Sequence, residues 1–152
     1  MAAGDLLIDF FPQCNEPPAS DPAVLATRNA HPVLNFDAST DKAAVFTGFM
    51  PWHYGSGGVT VYAVVAFESD TNTSHVGQLG VSFERIGDGQ QDLDSDGFAA
   101  KGDMTVRVHA TCGETDVGSA AFADGAEMDE IAAGETFRVK TVSYTHLRAH
   151  ET

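Results

Sequence analysis

Residues 59–68 read VTVYAVVAFE, and this stretch constrains the fold more than any other. Val59, Val61, Ala63, Val65 and Phe67 recur at every second position, which puts them on one face of an extended strand. Tyr62, Val64 and Ala66 point the other way, so the pattern predicts a strand covered on both sides. Similar short stretches follow one another, separated by turn-forming residues. Residues 31–37 (HPVLNFD), 43–50 (AAVFTGFM), 76–86 (VGQLGVSFERI) and 104–111 (MTVRVHAT) read as strands. Shorter strands are expected at 119–122 and 136–140, with an extended piece at 5–11. Residues 12–30 hold Pro17, Pro18 and Pro22 and read as a loop. A short helix is expected over 92–101, capped by Asp92 or Asp94, and a helical turn within 124–131. About eight short strands without βαβ alternation predict an all-β fold. The economical arrangement is an antiparallel two-sheet sandwich, jelly-roll-like.

Size and charge narrow the function classes. A chain of 152 residues matches one domain, and with 43% hydrophobic residues it can build a core. No apolar run approaches the ~20 residues of a membrane-spanning helix. The opening MAAGDLLIDFFP has no basic n-region, and Asp9 interrupts its apolar stretch, so no signal peptide is expected. Eight Lys and Arg stand against 22 Asp and Glu, a net charge of -14. Nucleic acid and anionic membranes both require clustered cations, so neither is an expected partner. The scattered acids read as a solvated surface. Cys14 and Cys112 form no CxxC and have no neighbouring His, so free thiols are expected.

Two constellations are candidate sites. Asp92, Asp94 and Asp96 form a DxDxDG run closed by Gly97, the alternation of carboxylates that a hard cation such as Ca²⁺ takes. The twelfth position of such a loop is Asp103, where a longer Glu usually binds through both oxygens. Flanking helices are not expected either, so an acidic turn is the simpler reading. Trp52, His53 and Tyr54 are three adjacent ring side chains before the Gly-rich run at 55–58. Exposed rings of this kind dock protein partners or stack on sugars, and Trp52 is the one tryptophan of the chain. The simpler reading is a strand connection with Trp52 covering one end of the sandwich. GxSxG, HExxH and P-loop patterns do not occur. His31, His53, His75 and His109 are scattered and read as surface or packing residues, and no catalytic residue is assigned. Glu84 and Arg85 read as an edge or cross-strand ion pair.

Two resemblances add to this. TRNAHPVLNFD (27–37), AAVFTGFMP (43–51), VSFERIGDG (81–89) and AGETFRVK (133–140) together resemble a group of small β-sandwich proteins from marine metagenomes and tailed bacteriophages. That resemblance implies a non-enzymatic, virion-associated structural or adhesion domain of accessory, fibre or decoration type. It would be assembled in the host cytoplasm with no cofactor. By fold-level analogy with jelly rolls, its partners would be further copies of itself, as a trimer for example, or other virion proteins. A carbohydrate-binding module taking a glycan and a Ca²⁺-dependent binding domain are the alternatives. Residues 142–152, VSYTHLRAHET, resemble the translation of a transposon-end sequencing adapter. On that reading the β-sandwich domain spans 1–141, and 142–152 is an adapter-derived tail. Related chains continue with a further strand or two where this one meets the tail. C-terminal strands would then be missing, and an unpaired edge is expected.

Overall fold

The computed structural model describes residues 4–36, 40–89, 92–95 and 97–144. Eight strands follow along these residues: β1 (Val24–Arg28), β2 (His31–Asn35), β3 (Ala43–Phe49), β4 (Val59–Ala66), β5 (Val76–Ile86), β6 (Gly102–Arg107), β7 (Thr115–Phe122) and β8 (Thr136–Tyr144). Their pairing is nested. β3 pairs with β8, β4 with β7 and β5 with β6, all antiparallel. A long ribbon folded back between β5 and β6 has this pairing. Rolling the ribbon also brings β5 against β8. The result is a four-stranded sheet, β3-β8-β5-β6, facing a two-stranded sheet, β4-β7. Apart from β5 and β6, consecutive strands of the roll switch sheets, which is the jelly-roll arrangement. The fold is thus the expected all-β antiparallel sandwich. β1 and β2 form a separate hairpin.

The core lies where the two sheets meet. Leu79, Val81 and Phe83 of β5, Met104 of β6 and Phe137 and Val139 of β8 are buried against Ala120 and Phe122 of β7. Val59, Val61, Ala63 and Val65 of β4 complete that layer, as their alternation predicts. Phe83 and Phe122 lock the sheets together edge to face, centroids 4.9 Å apart. β7 comes close to β6, and a Cβ at Gly118 would press on Val106 and Met104 at 2.7 and 2.9 Å. Leu7, Ile8 and Phe10 pack against the core although residues 5–11 join no sheet. Phe10 lies tilted against Phe46 (5.4 Å) and edge to face with Phe137 (6.3 Å). The free edge of β3 is also occupied: Glu16 and Ala23 donate N–H to Val45 and Ala43, and Asn15 Oδ1 accepts from Val45 N–H.

Several local expectations are corrected. The stretch 12–30 is not all loop, because β1 lies within it. Its hairpin turn, Asn29-Ala30, has positive φ at both residues (48° and 66°), as a type I′ turn requires. Among the described residues, 92–101 holds no helix. Ala99 N–H instead donates to Phe83 C=O at 2.8 Å, extending β5's ladder. The helical turn expected within 124–131 is present, as the short 3-10 turn Ala126–Met128. β8 runs past the expected end at 140: Val142, Ser143 and Tyr144 pair with Gly80, Leu79 and Gln78, and the strand lies between β3 and β5. Finally, the second face of β4 is uncovered: Tyr62 and Val64 are each 69% exposed.

Candidate functional site

The three adjacent rings divide between surface and core. Pro51 ends β3, and the turn closed by Tyr54 N–H on Pro51 C=O (3.0 Å) sends successive side chains in different directions. Trp52 is 77% exposed and His53 is exposed, while Tyr54 is 5% exposed. The Tyr54 hydroxyl donates to Asp124 Oδ1 (2.7 Å), lies 3.3 Å from Met128 Sδ and accepts from Gly58 N–H (3.1 Å). Burial, reinforced by the hydrogen bond to Asp124, pushes its pKa up to about 12 against the opposing Gly58 contact. Tyr54 is therefore a neutral post beneath the loop and is not offered to a partner.

Trp52 stands on a fixed base. Its ring lies directly over Gly134, where a Cβ would overlap it, and Gly134 has a φ of +79°. That position needs glycine for both reasons. Gly134 N–H donates to Met50 C=O and Met50 N–H to Glu135 C=O, each at 2.8 Å. Glu135 is clamped by Arg85, with Nε–Oε1 at 2.9 Å and a second guanidinium nitrogen 2.7 Å from Oε2. The Arg85 hydrogen bonds outweigh burial and hold the Glu135 carboxyl below the usual range. Arg85 N–H in turn donates to Asp129. Phe49 at the end of β3 meets Trp52 at 5.9 Å, roughly edge to face, and is itself 48% exposed. The exposed rings of this loop are thus Phe49, Trp52 and His53, with Trp52 seated on Gly134 of the 132–135 turn. Phe49, at the exposed end of an apolar strand, carries no mark in the sequence, whereas Tyr54 belongs to the ring triplet by sequence and to the core by burial.

The acidic run is arranged differently. Asp92 and Asp94 are exposed, and Asp92 Oδ1 accepts from Asp94 N–H at 3.0 Å, so this carboxylate shapes its own turn. Asp96 lies outside the described residues. Asp103 is in β6 and pairs with Lys101 at 3.1 Å. Among the described residues no three His, Cys, Asp or Glu side chains gather as a metal set. Glu84 and Arg85 do not pair with each other: Glu84 forms a cross-strand ion pair with Arg138 (3.3 Å), and Arg85 pairs with Glu135 of the 132–135 turn. His75 pairs with Asp70 and His109 with Asp116, and Cys14 and Cys112 are unbridged. Two open clefts, of about 260 Å³ beside Gly102 and Phe122 and about 320 Å³ beside Pro12 and Pro22, lie apart from Trp52. Comparison of the chain with protein-family models, curated proteins and solved structures finds no match.

Proposed function

We propose that the chain is a non-enzymatic structural or adhesion domain of a tailed-bacteriophage virion, attached through the loop that carries Trp52. The observation that supports this is the exposed Phe49–Trp52 pair on its hydrogen-bonded base. A ring held in place loses little side-chain freedom on binding, so its apolar area is available to a partner. The jelly-roll scaffold supports the reading by fold-level analogy. The test is mass spectrometry of purified particles from the source DNA's host, together with Trp52→Ala. The chain should copurify with particles in fixed ratio, and Trp52→Ala should release it without lowering its melting temperature. Absence from particles, or retention of Trp52→Ala, contradicts the reading.

The same exposed indole favours a carbohydrate-binding module as the second reading. Trp52 is the only tryptophan, so its fluorescence reports this loop alone. Saturable quenching by a soluble polysaccharide would favour the glycan reading over the virion one.

A further inference from the structure

We propose that the outer face of the β4–β7 ribbon is the contact between two copies of this chain. Tyr62 and Val64 of β4 are each 69% exposed, and Val117 of β7 is 58% exposed. The register sets Val64 directly against Val117, Tyr62 against Ser119 and Thr60 against Ala121. Six side chains of one face therefore form a continuous patch without a charge. β4 holds no charged residue anywhere along its length. Native sheets usually guard such a strand with Lys, Pro or a bulge, and β4 has none of the first two.

Charge limits where two copies can meet. Two copies at -14 each repel wherever their acidic surfaces approach. An uncharged ribbon face is where they can meet with least repulsion. Relief makes the face self-complementary as well: the tall Tyr62 stands beside the low Ser119, with Ala121 and Thr60 next along the ribbon. A two-fold axis places Tyr62 of each copy over the low positions of the other, a closed isologous contact. Six side chains from two short strands make a face at the small end of the sizes that hold specific partners together. The dimer is accordingly weak and concentration-dependent. This inference does not rest on the virion reading, because the face is present outside any particle.

Sedimentation equilibrium on the full chain tests it, from about 5 to 500 µM at low and high salt. The wild type should populate a dimer with a dissociation constant on the order of 10 µM, tightened by NaCl as repulsion is screened. Val64→Lys should weaken it about tenfold or more, and Thr60→Lys, farther along the face, should weaken it too. Val24→Lys on the hairpin should leave it unchanged. Circular dichroism and melting of each variant establish that it is folded, and the two face variants are read independently. A monomer throughout the range, a trimer, or a dimer indifferent to both face substitutions overturns the proposal.

Discussion

The two sheets of this sandwich treat their outer faces in opposite ways. On the four-stranded sheet, Ser82 and Glu84 are 8% and 5% exposed although they point away from the core. The chain covers them itself. Arg138 reaches across from β8 to Glu84, and the Phe98 ring lies 5.7 Å from the Arg138 guanidinium and 5.5 Å from Lys140 Nζ. Tyr144 fills the space over Gly80, and Lys101 Nζ sits 4.0 Å from its ring centre. On the two-stranded sheet, the outer face carries Tyr62, Val64 and Val117 bare. A buried carboxylate must be paired, and β8 with residues 97–101 supplies what that face needs. An apolar face in water carries a standing cost of about 25 cal/mol per Å², and contact with another surface relieves it. The covered face is thus a matter of folding, and the bare one is the face proposed above for association.

Substitutions should separate the two faces by the size of their effect on monomer stability. Arg138→Ala leaves Glu84 buried without its cation and strips a neighbour from Phe98. Because Arg138 is itself one-third exposed, a loss of about 2–4 kcal/mol in urea unfolding is expected, at the lower side of fully buried pairs. The covered-and-bare contrast also recurs within one loop. Gly134→Ala forces a side chain into a positive-φ position under the indole, and should cost about 1–3 kcal/mol and alter Trp52 emission.

The pH dependence of stability probes the buried half of that loop. Tyr54 keeps its proton in the fold up to about pH 12, whereas the unfolded chain releases it near the model value of 10.0. Stability should therefore be full below pH 10 and fall as pH rises from there towards 12, and Tyr54→Phe should remove this alkaline slope. Glu135 gives the opposite limb: its lowered pKa contributes above the unfolded value of 4.5 and is lost as pH falls through the folded one. Urea midpoints measured across pH show both slopes. The smallest effects belong to the bare positions. Val64→Lys and Trp52→Ala should each change monomer stability by no more than about 0.5 kcal/mol, measured at a concentration well below dimerisation.

Strand identity was largely legible because alternation is written residue by residue, as in Val59, Val61, Ala63 and Val65. Nesting of the strand pairs was not, since it depends on which distant edges meet. The β1–β2 hairpin escaped notice because its turn is Asn29-Ala30. A following glycine is the usual signal for positive φ, and Ala30 adopts it with a Cβ present. The expected helix over 92–101 failed for a tertiary reason: the Phe83 carbonyl beyond the end of the β5–β6 pairing takes the Ala99 N–H. For the site, the residue types at 52–54 marked the loop but not the direction of each ring. Tyr54 turns inward because its hydroxyl finds Asp124 seventy positions on, a partner invisible in the local sequence. The bare second face of β4 is the most informative mismatch. Its alternation calls for cover on both sides, and the chain provides it on one.

A concentration series of amide proton–nitrogen correlation spectra would test this contrast most directly. Shift changes between dilute and concentrated samples should centre on Thr60, Tyr62 and Val64 with Val117, Ser119 and Ala121. Changes centred on Ser82, Arg138 and Lys140, or spectra identical at every concentration, would contradict it.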